Sequence, residues 1–365
     1  MRTAKAAVLE GPQDIKIREY PLPEEIEANA ALIRVQTAGV CGTDPHLYNG
    51  RANLPYPVII GHETLGVIES LGDPPPESVY GETLAPGDRV IWPSSILCGH
   101  CYYCRYHVLE HASLCENRLG YGGGMSSAEP PHFVGGYAEY LYARPGTWLY
   151  KVPESLGDDE AILVDALSSG RALERALQLT PTVESVLVQG AGPVGMMAAF
   201  RAKARGVPFV IMTGAPAHRL ELAGTFGVDE TVNIDELNVD ERLSHVRELT
   251  WGRGPDIVIE CAGVPSAFPE GLMLVRRGGT FVEVGHYTDA GSVTVNPFSH
   301  FCHKDSLILN QFGISPHQYG PDLALMAQSD LPFEQLISHR YSLEDAEIAL
   351  KKAGAFETMK AVIKP

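Results

Sequence analysis

The sequence predicts a two-domain α/β protein, a barrel-like β domain followed by a doubly wound parallel sheet. Three observations lead there. A length of 365 residues exceeds what one hydrophobic core usually serves. The first 150 residues read as short β segments broken by Gly and Pro. From about residue 158 strands and helices alternate strictly, which implies βαβ units and a parallel sheet.

In the first part, residues 6–9, 31–37, 66–70, 89–92 and 137–142 read as strands. Turn signals such as Asp73-Pro74-Pro75-Pro76 suit a compact barrel with long excursions. One excursion carries a cysteine cluster, and residues 120–136, rich in Gly, Ser and Pro, form another. A helical stretch over 158–179 leads to a strand at 185–189. Helices near 194–205, 218–226, 239–250 and 266–276 then alternate with strands at 209–213, 230–233, 256–260 and 280–285. A strand at 306–311 and helices near 321–328 and 343–353 follow. No internal repeat or low-complexity tract interrupts this order. The expected domains are 1–157, with a lobe at about 95–118, and 158–295. The segment 296–365 is expected to complete the parallel sheet and return to the first domain.

Composition narrows the function. Apolar content of 45% and charged content of 20% are those of an ordinary globular protein. A net charge of -17 argues against a nucleic-acid partner and against docking on anionic lipid. No apolar run of about 18 residues is present, so no transmembrane helix is expected. The opening residues lack an apolar run long enough for a signal peptide, and a cytoplasmic location is expected.

Cys98, Cys101, Cys104 and Cys115 form a C-x2-C-x2-C-x10-C run. Thiolates at this spacing can converge on one tetrahedral Zn²⁺, and nothing suggests the secretion that disulfides would need. Gly190-Ala191-Gly192-Pro193-Val194-Gly195 follows a strand and opens a helix, the context that makes G-x-G-x-x-G a dinucleotide-binding, Rossmann-type turn. The first Gly makes the turn, the second admits a pyrophosphate, and the third packs helix on strand. The acid expected to bind the ribose near the end of the next strand is absent, because that strand ends at Thr213-Gly214-Ala215-Pro216. His218 and Arg219 lie just beyond and could attract a 2′-phosphate, while Arg219 could equally solvate a helix start. NAD and NADP therefore both remain open.

Cys41, in Gly39-Val40-Cys41-Gly42-Thr43-Asp44-Pro45-His46, and the pair His62-Glu63 complete the set. With the cysteine lobe, the glycine turn and the stretches Arg276-Arg277-Gly278-Gly279 and Lys360-Ala361-Val362, they run in an order that resembles the zinc-dependent medium-chain alcohol dehydrogenases. The likeness is to the threonine- and sorbitol-dehydrogenase-like branch and covers essentially the whole chain.

The resemblance implies a GroES-like β-barrel catalytic domain beside the Rossmann domain. It implies two zinc ions per chain, one structural in the four-cysteine lobe and one catalytic. Cys41, His62 and Asp165 are the implied catalytic ligands, with Glu63 just outside the set or exchanging into it. An Asp near a helix start could otherwise be a simple cap.

The implied chemistry is Lewis-acid activation of a small alcohol or carbonyl substrate, with hydride passing to or from nicotinamide. Thr43 and His46 would relay the proton, Asp44 would orient His62, and Ser169 and Val194 would border the nicotinamide. Ser94, where ethanol-oxidising members carry a bulky aromatic, implies a roomier or more polar pocket. Trp92, Tyr121 and His132 could line it or could be packing. A homodimer or homotetramer is expected on the same grounds. One departure stands out: the last gap of the lobe has ten residues where the family usually has seven, read as a three-residue loop insertion. Cys261 and Cys302 match no ligand position, and Cys261 is expected to be inert core.

Overall fold

The structure, a computed structural model, describes residues 2–107 and 112–365. Part of the loop insertion between Cys104 and Cys115, residues 108–111, lies outside the described residues. The chain divides into two compact units, Met1–Asp165 with Ile314–Pro365, and Ala166–Gly313. Both boundaries fall later than the 157/158 and 295/296 divisions read from the sequence, and each has a cause. The Asp158–Ala161 helix is tied to the first unit by Arg89–Asp158, Arg340–Asp159 and Lys364–Asp159 ion pairs. The Leu307–Asn310 strand pairs with Thr280–Glu283 and so keeps the chain in the second unit.

In the first unit a seven-stranded sheet runs in the order Tyr150–Lys151, Arg89–Trp92, Glu63–Leu71, Ala31–Val40, Lys360–Lys364, Ile337–Ser342. Tyr140–Ala143 also pairs with Ala31–Val40, so that strand is flanked along both edges and is buried almost throughout. A three-stranded sheet, Asp14–Pro21, Thr3–Gly11 and Val58–Ile59, packs its apolar side chains into the same core. The Asp14–Pro21 strand escaped the sequence reading because its side chains are mostly exposed and polar. Its pairing with Thr3–Gly11 defines it, not an apolar alternation. A short antiparallel pair, Ser95↔Gly120 and Ile96↔Leu119, forms the stem of the cysteine lobe.

The second unit holds a six-stranded parallel sheet in the order Glu230–Asn233, Phe209–Gly214, Ser185–Gln189, Ile257–Glu260, Thr280–Glu283, Leu307–Asn310. This 3-2-1-4-5-6 order places the topological switch point beside the first strand. Runs such as Val186-Leu187-Val188 and Ile257-Val258-Ile259 are wholly buried, as strands covered on both faces must be. The helical stretch expected over 158–179 is instead three short helices, Asp158–Ala161, Val164–Ser169 and Ala172–Leu179. Bonds from the amides of Gly170, Arg171 and Leu173 to the carbonyls of Leu167, Ser168 and Gly170 tighten the chain at Gly170 and break the α-helical ladder. Among the described residues no helix is long and apolar enough to cross a membrane.

Candidate active site and metal centres

The Ala31–Val40 strand ends at Cys41, and the Thr43–Tyr48 helix begins two residues later. Asp44, fully buried in that first turn, accepts the Cys41 amide at 2.8 Å and thereby fixes the corner. Its Oδ2 also accepts the Tyr137 hydroxyl at 2.9 Å, and its Oδ1 faces His62 Nδ1 at 3.3 Å. Burial and the Asp44 charge push Tyr137 well above its usual range, so it stays a neutral donor. Gly61 makes room for the arrangement, because a Cβ there would lie 2.4 Å from the Tyr137 ring.

His62 lies at the head of the Glu63–Leu71 strand. Cys41, His62 and Glu63 bring one ligand atom each within 4.8 Å of one another. Burial opposes a charge on His62, but Asp44 and Cys41 outweigh it and raise its pKa well above the ordinary value. Negative charge that would hold a proton on a buried imidazole also favours a divalent cation. A soft thiolate, an imidazole and a carboxylate are the donor types that suit zinc. The donor set therefore fits a zinc ion.

Asp165 is not part of that triplet, although it is buried within electrostatic reach of it. Burial and then the Glu63 charge raise its pKa to about 6, against the lowering influence of His62, Tyr319 and Lys360. Tyr319 donates to Asp165 Oδ2 at 2.5 Å and is itself buried. Glu63 pairs with Lys360, both almost wholly buried. Tyr137, Tyr319 and Lys360 are the site residues that sequence reasoning missed. Lys360 was quoted only as part of a closing stretch, and no local pattern marks any of the three.

Thr43 and His46 sit one helical turn apart on the short helix and are half-buried. The Cys41 thiol donates to Thr43 Oγ1 at 3.6 Å. Burial, helped by the Arg51 charge, lowers the His46 pKa and favours the neutral imidazole. The expected pocket residues are mostly engaged elsewhere. Trp92 is fully buried, Tyr121 bonds with Thr147 at 2.7 Å, and His132 stacks on Tyr20 with centroids 4.7 Å apart. Ser94 is half-buried.

In the lobe, Cys98, Cys101, Cys104 and Cys115 converge within 4.8 Å, and all four are free thiols. The Cys98 and Cys104 sulfurs are 3.8 Å apart. Four sulfurs at about 2.3 Å around one tetrahedral ion would be about 3.8 Å apart. The Cys98, Cys101 and Cys104 amides donate to the sulfurs of Cys115, Cys98 and Cys101, each at 3.4 Å. Backbone donors, the His100 amide first, draw the Cys98 thiol down to about 5, whereas burial pushes the Cys104 thiol up to about 12. This donor set also fits zinc.

In the second unit the three glycines of the turn have distinct surroundings. Gly190 has φ +106° and lies against Ala262, where a Cβ would come within 2.9 Å of an amide nitrogen. Gly195 packs helix on strand, a Cβ there falling 1.9 Å from the Gly190 carbonyl. In front of Gly192, the N-cap of the Pro193–Ala204 helix, a Cβ would meet nothing within 4 Å. Open space at a helix N-terminus suits an anion such as a pyrophosphate.

Gly214 ends its strand against this turn, where a Cβ would stand 2.8 Å from the Ala191 side chain. Val194 is half-buried at the helix start, and Ser169 is buried at the end of the Val164–Ser169 helix. On the Ala217–Ala223 helix His218 is exposed and Arg219 buried, and burial lowers the Arg219 pKa. Cys302 is exposed. Cys261 is held protonated by burial and by the charges of Glu260 and Glu283, which push its pKa well up.

Two family models match the chain, an alcohol dehydrogenase GroES-like domain over residues 27–154 and a zinc-binding dehydrogenase over 193–328. An L-threonine 3-dehydrogenase of Vibrio cholerae is 31% identical over 94% of this chain and 94% of its own length. The chain belongs to the zinc-dependent medium-chain dehydrogenase family. Members of this family are oxidoreductases, and the solved structures agree in fold. An alcohol dehydrogenase of Thermotoga maritima superposes with a TM-score of 0.90 at 29% identity, covering 100% of both chains. A Sinorhizobium meliloti protein solved with NADP bound gives 0.85 at 26% identity, again over 100% of both.

Proposed function

We propose that this medium-chain dehydrogenase oxidises a secondary, polyol or cyclic alcohol reversibly with NAD or NADP. The observation that carries the reading is the convergence of Cys41, His62 and Glu63 within 4.8 Å, with buried Asp165 alongside. Cys41, His62 and Asp165 would hold the catalytic zinc, and the four lobe cysteines a second, structural zinc. When bound, zinc supplies Lewis acidity toward the substrate oxygen and the nicotinamide supplies or accepts a hydride.

The chain's own groups do the rest. Tyr137 holds Asp44, and Asp44 orients His62 through its Nδ1. Tyr319 donates to Asp165 Oδ2 and so steadies that carboxylate beside the triplet. Lys360 pairs with Glu63 in a dry surrounding. Thr43 and neutral His46 carry the substrate proton outward. The glycine turn, with Pro193 and Val194, receives the dinucleotide, Ser169 borders its nicotinamide, and His218 with Arg219 sets the charge near its ribose.

L-threonine, itself a secondary alcohol, is the first substrate to try because curated relatives at about 30% identity carry that activity in their names. The enzyme is proposed to work in the cytoplasm as a homodimer or homotetramer.

A panel of alcohols including L-threonine, assayed with each cofactor, tests the reading. Metal analysis should give two zinc ions per chain, with one lost in Cys41→Ala while the fold survives. Full alcohol oxidation by Asp165→Ala would remove that residue from the ligand set. A strong NAD preference would remove His218 and Arg219 as phosphate ligands.

A further inference from the structure

Within the second unit, the carboxyl ends of two neighbouring strands bring together Glu260, Glu283 and His286. One ligand atom from each lies within 4.8 Å of the others. None of the three belongs to the glycine turn or to either cysteine-containing centre.

Glu260 is wholly buried. Its Oε1 accepts the amides of Ala262 at 2.7 Å and Gly263 at 2.8 Å, which fixes the carboxylate plane. Its Oε2 is then turned to His286 Nδ1, 3.5 Å away, and accepts no hydrogen bond. Glu283 Oε1 accepts the amides of Gly285 and His286 and faces His286 Nδ1 at 2.9 Å. Glu283 Oε2 is also buried and has no donor.

One imidazole nitrogen can donate only one proton, and that proton is directed to Glu283. Two buried carboxylate oxygens are thus left without a nitrogen donor, an arrangement that is costly unless a shared proton or a metal cation sits between them. Among the described residues no Lys or Arg pairs with either glutamate.

Separations of 2.9 and 3.5 Å from Nδ1 to the two carboxylates match those between neighbouring ligands on one ion. Oxygen and nitrogen ligands at about 2.0–2.2 Å from a cation lie about 2.8–3.6 Å apart in octahedral or tetrahedral sites. Gly285 permits the approach, since a Cβ there would fall 2.2 Å from Glu260 Oε2.

We propose that Glu260, Glu283 and His286 form a further divalent-cation site, separate from both zinc centres. Two carboxylates and one imidazole suit a first-row ion such as Mn²⁺ or Zn²⁺. A ligating His286 Nδ1 leaves the imidazole proton on Nε2, and both glutamates ligate as carboxylates. The site adjoins the glycine turn, because Ala262, whose amide Glu260 holds, is the residue on which Gly190 packs.

The zinc-loaded protein, titrated with Mn²⁺ while free Mn²⁺ is read by electron paramagnetic resonance, tests this directly. The expected result is one saturable Mn²⁺ per chain with zinc content unchanged before and after. Glu283→Gln and His286→Asn should each weaken it by at least about tenfold, the scale that loss of even an outer partner produces. Both side chains are partly exposed, so each variant can be checked for an unaltered melting transition before titration. Absence of saturable Mn²⁺ or Zn²⁺ binding up to millimolar concentration would overturn the proposal. So would binding that both folded variants retain in full.

Discussion

Gly39 leaves open the space that the Glu63 carboxylate fills. The two face each other across neighbouring strands, and a Cβ on Gly39 would stand 2.0 Å from Glu63 Oε2. On the other side of Gly39 lies the Lys360–Lys364 strand, paired through Val362. The missing side chain is therefore the passage that the Glu63 carboxylate, the partner of Lys360, occupies.

Gly39→Ala should close that passage. Displacing one partner of a buried ion pair costs about 3–5 kcal/mol, because the other charge is left uncompensated. Urea denaturation of the first unit should show a loss of that order. A double variant, Gly39→Ala with Glu63→Gln, should recover part of it, and unchanged stability in Gly39→Ala would refute the passage.

Tyr319→Phe removes a donor to Asp165 Oδ2 and leaves the ring in place. The protein should fold, with a stability loss of about 1–3 kcal/mol for the loss of a hydrogen bond to a buried carboxylate. Zinc affinity, read by competition with a chelator, should fall about 10–100-fold. An unchanged affinity would confine Tyr319 to packing.

Gly214→Asp is the obvious substitution for building an NAD-type ribose contact into the second unit. The close approach to Ala191 predicts a different result. A side chain at 214 must push on the glycine turn, so catalytic efficiency should fall with both cofactors instead of moving from one to the other. A clean gain for NAD alone would show that the turn yields without cost.

The Cys98 to Cys115 lobe and the glycine turn were legible because their chemistry is packed into short stretches with fixed spacing. The partners of Asp44, Asp165 and Glu63 were not. Tyr137, Tyr319 and Lys360 lie 93, 154 and 297 residues away from them, and only strand register and chain return bring each pair together. The parallel sheet of the second unit followed from alternation alone. The two breaks in the 158–179 stretch did not, because they depend on tightened bonds at Leu163 and around Gly170 that propensity does not encode. Glu283 and His286 read as ordinary strand-end residues until the neighbouring strand placed Glu260 beside them.

Lys304 offers a test of electrostatics away from any site. It is buried, donates to the Met273 carbonyl at 2.8 Å, and is brought down to about 8 by burial and then by the Arg247 charge. A lysine whose folded pKa is depressed contributes stability that is full above its unfolded value and lost as pH falls through the folded one. Between about pH 10.5 and 8 the protein should therefore lose stability on acidification, in all by about 2–4 kcal/mol. Lys304→Met should lack that slope, so denaturation at pH 7 and pH 9.5 should separate the two proteins. Parallel behaviour would mean that Lys304 keeps its charge solvated.

The pairing of Glu63 with Lys360 also sets a timetable for synthesis. A ribosome adds about 5–20 residues per second, so the glutamate is made roughly 15–60 s before the lysine that neutralises it. The whole six-stranded sheet is translated in the interval, and it can fold as a contiguous unit. The discontinuous unit cannot, since the Ala31–Val40 strand waits throughout for its Lys360–Lys364 neighbour. Newly made chains are thus most exposed to chaperones and proteases at the half that carries the proposed metal ligands, and an incomplete product is left without the lysine that pairs with Glu63.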